Sequence, residues 1–242
     1  MKTHLDLFSG IGGFALAAGW AGYRTVGFCE IEDYPRRILS KRFSGVPIHG
    51  DIRELNGSDF QGVTLITGGY PCQPFSQAGK RQGAADDRHI WPEMLRVVKQ
   101  ARPAWVLAEN VAGHITLGLD EVLADLEGEG YAARAVVVPA CAVSAPHRRD
   151  RVWIVAKSLA DTSPKRTQGL RPSRVGESPA HAGQKVPVCG YERIGSSYWE
   201  TEPAVGRVAD GLPNRVDRLK ALGNAIVPQV AYELIRHLET HG

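Results

Sequence analysis

Residues 3–20 read THLDLFSGIGGFALAAGW, and this stretch decides the fold class. Thr3 to Phe8 is a short apolar run of strand type. Ser9-Gly10-Ile11-Gly12-Gly13 is a glycine-rich turn, and Phe14 to Trp20 has helical spacing. Strand, turn and helix then recur downstream. Thr25 to Glu30 reads as a second strand with Asp33 to Phe43 as its helix, Val46 to Ile52 as a third strand and Val63 to Thr67 as a fourth. Such alternation predicts a mostly parallel sheet joined by right-handed crossovers. After a polar loop come the helix Pro92 to Ala101, the strand Trp105 to Ala108, the helix Leu119 to Glu127, and the strands Ala135 to Pro139 and Arg151 to Ala156. With no clear helix between the last two, one of them is expected to lie antiparallel at an edge.

The regular pattern stops after Ala156. In residues 156–198, Gly, Pro and Ser supply 15 of 43 positions, and seven Lys/Arg face three Asp/Glu. Periodicity resumes near Asn214, with a helix expected from about Ile226 to Leu238. The formal net charge is +3, so this irregular stretch at +4 leaves the remainder at −1. A basic insert in a balanced chain suits one surface that touches phosphates, and a solvated loop has the same composition.

At 242 residues, 43% of them apolar and 23% charged, the chain has the composition of one large globular α/β unit, not of a disordered or fibrous protein. It has no apolar run long enough to span a membrane and no secretory leader pattern, so a cytoplasmic protein without membrane contact is expected. Cys29, Cys72, Cys141 and Cys189 lie 43, 69 and 48 positions apart. That spacing offers no CxxC pair, and no metal site is expected.

Four segments carry candidate chemistry. In the glycine turn, backbone amides at a helix start can approach a ligand, and Glu30, ending the second strand, is placed to accept hydrogen bonds from ribose hydroxyls. Asp51, ending the third strand, can accept from an adenine amino group. The glycines are not spaced G-x-G-x-x-G, so a plain dinucleotide fingerprint is absent. The second segment, Thr67 to Ser76 (TGGYPCQPFS), follows the fourth strand. Cys72 sits there between two prolines, a poor place for a packing residue and a good one for a positioned thiolate. Third, Ala108-Glu109-Asn110-Val111 delivers a carboxyl to the same sheet edge. Partial burial would raise the pKa of Glu109 and suit it to give a proton, whereas an acid capping the following turn is the plainer alternative. Fourth, His147-Arg148-Arg149-Asp150-Arg151 leads into a strand, where Arg149 and Arg151 would share a face and could hold a phosphate or a base carbonyl.

Taken together, DLFSGIGGF, Glu30, Asp51, GGYPCQPFSQAG, ENV at 109–111, RRDRVWIVA at 148–156 and LGNAIVPQVA at 222–231 resemble the DNA (cytosine-5) methyltransferases of bacteria and their phages. The segments occur in that family's order. The resemblance implies a Rossmann-like S-adenosylmethionine-dependent methyltransferase fold, a mostly parallel sheet with an antiparallel edge strand. Residues 1–156 would form the catalytic and cofactor-binding domain and 157–205 a short target-recognition insert, with 206–242 returning to the catalytic domain. It implies S-adenosyl-L-methionine contacts from Phe8, Gly10, Glu30, Asp51, Ile52, Pro71 and Asn224, and from Gly12. Cys72, Glu109, Arg149 and Arg151 would serve the chemistry. Double-stranded DNA is the implied partner, with a paired restriction endonuclease compatible, and a monomer is expected. Two features depart from the family pattern: His147 stands where Gln is usual, and the insert is short. The catalytic segments alone do not choose between DNA and RNA. A non-catalytic DNA-binding protein that keeps the fold is the remaining alternative, against which the intact Cys72, Glu109 and Arg151 argue.

Overall fold

A computed structural model describes residues 1–71, 90–161 and 215–240. Cys72 and nearly all of the 157–205 insert lie outside the described residues. Seven strands form one sheet: β1 (Thr3–Leu7), β2 (Arg24–Cys29), β3 (Ile48–His49), β4 (Leu65–Gly68), β5 (Trp105–Val111), β6 (Tyr131–Pro139) and β7 (Asp150–Ser158). Their order is β3-β2-β1-β4-β5-β7-β6, and the first five are mutually parallel. The helices are α1 (Gly13–Trp20), α2 (Asp33–Arg42), α3 (Trp91–Ala101), α4 (Leu119–Gly128), α5 (Arg215–Asn224) and α6 (Pro228–Thr240). None among the described residues is long and apolar enough to cross a membrane.

The Rossmann-like class expected from the alternation is the one observed. The antiparallel strand, however, lies one place in from the edge: β7 pairs antiparallel with both β5 and β6. A short reversal, Ala140–Val143 and the residues after it, returns the chain from β6. It joins the sheet beside β5, whose pairing residues Val106 to Ala108 are buried. β7, with Val152, Trp153 and Ile154 buried, holds that inner place, while β6, exposed over Arg134 to Val137, stays at the rim. β7 also runs two residues past Ala156, with Lys157 opposite Trp105.

β3 is shorter than the run Val46 to Ile52 suggests. Pro47 has no N–H to give the ladder and offers only its carbonyl, to Phe28 N (3.0 Å). Beyond His49 the chain turns into a 3₁₀ turn, Ile52–Glu54, capped by the Asp51 side chain. α1 and α6 pack together beside the sheet, where Phe14, Ala17 and Ala18 meet Val230, Ala231, Ile235 and Leu238 in one apolar cluster. The other face is covered by α3 and α4 over Leu5, Leu7, Ile66 and Val106. Strand order reverses between β1 and β4, so a crevice opens there beyond the carboxyl ends of the strands.

Candidate active site

That crevice is a cleft of about 540 Å³. The glycine turn forms its first wall. Phe8 and Gly10 both take left-handed backbone, with φ of 53° and 52°. This conformation aims the Gly10 amide at the Glu30 carboxylate, with Oε2 accepting from Gly10 N at 2.7 Å and Oε1 from Glu32 N at 2.8 Å. Glu30 is 8% exposed. Burial raises its pKa, against the lowering effect of those amide bonds. Each oxygen still has a lone pair for a ligand hydroxyl, and among the described residues, its chain neighbours aside, no atom stands within 4 Å of where a side chain on Gly10 would begin. A carboxylate fixed by backbone amides beside open space fits a ribose diol, so the donor set here accommodates an adenosyl group.

Asp51 and Ile52 continue this wall. Asp51 Oδ1 accepts from Arg53 N at 2.9 Å, and Oδ2 faces the Arg53 guanidinium at 3.5 Å. Pro71, the last described residue before Cys72, and Asn224, ending α5, line the same cleft.

The opposite wall is built by β5 and β7. Glu109 pairs in register with Trp153, which puts Arg151 on the diagonal and on the same face. Arg151 Nε donates to Glu109 Oε1 at 2.9 Å. Glu109 is also 8% exposed. Burial pushes its pKa up, while the positive charges of Arg151 and Arg149 pull it down. The environment is thus the one that suits a proton donor.

Phe8, Gly10, Glu30, Asp51, Ile52, Pro71, Glu109, Arg149, Arg151 and Asn224, singled out from sequence, all border this one cleft. Gly12 does not. It starts α1 with φ +88°, and a Cβ there would lie 2.5 Å from Phe43 Cε2, so this glycine serves the turn and its packing against α2. Arg149 also departs from the expectation that it shares the strand face with Arg151. It precedes β7 with φ +41°, and its Nη2 donates to Gly223 O (2.8 Å) and Ala225 O (2.7 Å). Through Nη2 its guanidinium therefore brackets Asn224.

Other residues of the site had no role assigned from sequence. Asn110, inside the ENV segment, donates through Nδ2 to Tyr70 O (3.2 Å), and Tyr70 OH pairs with His114 Nε2 (2.7 Å). These bonds tie the strand end that carries Glu109 to the segment leading into Cys72. Lys220 Nζ donates to Glu32 Oε1 at 2.6 Å, linking α5 to the Glu30 wall. The position of Asn110 in a recognised segment was a usable signal, but nothing in the local sequence ties Lys220 to Glu32, 188 positions away.

A Rossmann-like sheet with a ribose-type carboxylate on one wall of its switch-point cleft and a buried acid paired with arginine on the other defines a nucleotide-cofactor enzyme class. Within that class, residues 2–179 match the family model for C-5 cytosine-specific DNA methylase, and the chain belongs to this family. It is 34% identical over 169 residues to the type II methyltransferase M2.BsuMI of Bacillus subtilis, covering 65% of this chain and 42% of that protein. It is 39% identical over 112 residues to the type II methyltransferase M.NgoMIV of Neisseria gonorrhoeae, covering 46% and 36%. The chain thus spans less than half the length of these curated relatives. Among solved structures it resembles the Dnmt2 methyltransferase of S. pombe (TM-score 0.57, 26% identity, 65% of this chain and 51% of that one). It also resembles a putative DNA modification methyltransferase encoded within an E. coli prophage (TM-score 0.56, 25% identity, 66% and 47%).

Proposed function

We propose that this protein methylates C5 of cytosine in duplex DNA, with S-adenosyl-L-methionine as donor and a covalent bond between Cys72 and C6 of the base. The observation that carries this reading is the buried Glu109–Arg151 pair facing the Glu30 wall across one cleft, in a chain of this family.

Glu30 accepts from the ribose hydroxyls, Asp51 from the adenine amino group, and Phe8, Gly10, Ile52, Pro71 and Asn224 complete the cofactor's enclosure. When bound, the cofactor supplies a methyl group made electrophilic by its sulfonium. C5 of cytosine is a weak nucleophile, and the chain's own residues activate it. The Cys72 thiolate adds to C6 while Glu109 gives its proton to N3, so the ring becomes an enamine with electron density at C5. Arg151 keeps Glu109 oriented and has further N–H groups for the cytosine O2. After C5 is alkylated, water takes the C5 proton, the double bond re-forms as Cys72 leaves as thiolate, and the N3 proton returns to the Glu109 carboxylate. Both faces of C5=C6 are covered in a stacked duplex, so the target base is flipped out of the helix to reach the cleft. Arg149, at the cleft's border, places Asn224. Residues 157–205 carry target recognition, and the protein works as a cytoplasmic monomer alongside an endonuclease of the same specificity.

Sequencing plasmid DNA from expressing cells by a methylation-sensitive method defines the target. Duplex DNA with 5-fluorocytosine at that position then tests the mechanism, because fluorine cannot leave as a proton. The wild-type protein should be trapped as an adduct at Cys72, and Cys72→Ser should give none. Equal trapping by Cys72→Ala, or labelling at Cys141 or Cys189, would overturn the assignment.

A further inference from the structure

The turn that presents Asp51 and Ile52 to the cleft is short. The single 3₁₀ turn, Ile52–Glu54, is closed by two backbone bonds, Glu54 N to Asp51 O (3.1 Å) and Leu55 N to Ile52 O (3.2 Å). Its carbonyls are also met from behind by one side chain. Arg96, on α3, donates from Nη2 to Ile52 O at 2.6 Å and from Nη1 to Leu55 O at 2.9 Å, with Arg53 O 3.5 Å from Nη2. The guanidinium is itself oriented, since Nε donates to Glu93 Oε2 at 2.7 Å and Nη1 also reaches Gln100 Oε1 at 3.1 Å. Gln100 Oε1 in turn accepts from Gly57 N at 2.8 Å. A Cβ on Gly57 would lie 2.7 Å from Val97 O, so the segment after the turn sits directly on the α3 backbone. Arg96 does not border the cleft, whereas Asp51, Ile52 and Arg53 do.

We propose that Arg96 is a positioning residue for the adenine end of the cofactor site, fixing the Asp51–Leu55 turn from its far side so that the Asp51 carboxylate and the Ile52 side chain face the ligand. This rests on the cofactor reading of the cleft given above. The charge matters as well as the shape. Three carbonyl oxygens converge on one planar cation, and charge-assisted bonds of this kind are about twice as strong as neutral ones. A lysine offers a point charge and cannot span Ile52 O and Leu55 O in the same fork. α3 is also rigid where it matters, because Met94, Val97 and Val98 on its inner face are fully buried.

The test is equilibrium binding, which needs no turnover. Calorimetry with S-adenosylhomocysteine and with its inosine analogue, which has a 6-oxo group in place of the 6-amino group, is compared for wild type, Arg96→Met and Arg96→Lys. In Arg96→Met, S-adenosylhomocysteine should bind at least tenfold more weakly. The preference for the 6-amino ligand should shrink, because Asp51 is no longer held to receive that group. Arg96→Lys should recover only part of the loss. In turnover, KM for the methyl donor should rise while kcat at saturation stays within threefold. Amides of Arg53 to Gly57 should exchange faster in the ligand-free variant. Should Arg96→Met fail to fold, Glu93→Gln and Gln100→Leu loosen the same guanidinium and should each weaken binding severalfold. Wild-type affinity and wild-type amino preference in Arg96→Met, or in both of the milder variants, would overturn the inference. If the wild-type protein itself binds no S-adenosylhomocysteine, the cofactor reading fails and this inference falls with it.

Discussion

Glu30 and Glu109 are the same residue type with the same 8% exposure on facing walls of one cleft, yet they are held in different ways. Glu30 follows a parallel strand and is bound by two backbone amides, Gly10 N and Glu32 N. Glu109 stands on a strand whose neighbour runs antiparallel, and its partner is the guanidinium of Arg151. Burial pushes both carboxyls up. Amides belong to the backbone and cannot move away without refolding the glycine turn, so Glu30 is a fixed acceptor suited to binding. A side-chain cation can shift, so a carboxyl held as Glu109 is suits the proton exchange proposed for it. Burial is the same for the two acids; the kind of partner is what differs.

The contrast breaks most sharply at Glu109. Glu109→Gln keeps the shape and should leave ligand affinity unchanged while slowing single-turnover methylation by roughly two or more orders of magnitude, the usual share of a positioned general acid. A rate within threefold of wild type would place the proton donor elsewhere. Glu30→Gln should do the reverse. A hydrogen bond to a charged group contributes about 1.5–3 kcal/mol, so affinity for S-adenosylhomocysteine should fall about tenfold to a hundredfold. The rate at saturating donor should stay near wild type, and a rate loss that saturation does not restore would erase the distinction between the two walls. The smallest expected effect is on pH dependence in Arg151→Met. In the proposed mechanism the protonated form of Glu109 is the active acid, so the rate should fall as pH rises through its pKa. Arg151 holds that pKa down. Its removal should therefore move the alkaline fall to higher pH whatever happens to the absolute rate, and an unmoved profile would mean that Arg151 does not tune Glu109.

Much of this was legible in the sequence where structure is local. The glycine turn, the acid after the second strand and the ENV segment each sit within a few residues of the element that positions them. Lateral partners were harder to read. The register of β7 against β5 is set by two strands about 40 residues apart in sequence, so the diagonal contact between Glu109 and Arg151 was not legible there; only Glu109 and Cys72 were expected on one edge. Arg149 looked like a strand residue because period-two alternation assumes extended backbone, and its φ of +41° breaks that assumption. α5 was not foreseen as a helix. Its apolar positions Val216, Leu219 and Leu222 are exposed, so its helical pattern faces outward instead of marking a core, and its described anchors are Lys220 on Glu32 and Arg149 on Gly223 O.

What the sequence determined by itself is the alternation of elements and the identity of the chemical groups, because hydrophobic periodicity and turn chemistry act between near neighbours. What only the tertiary structure decided is which groups meet. Gly12 became a packing residue because Phe43 occupies the space beside it. Arg149 became an anchor because the C-terminal segment brings two carbonyls to it. Arg96 gained its role because α3 lies directly behind a turn that ends some 40 residues earlier. Each of these outcomes depends on long-range closure of the chain, and contacts of that kind leave no periodic trace in the residues that make them.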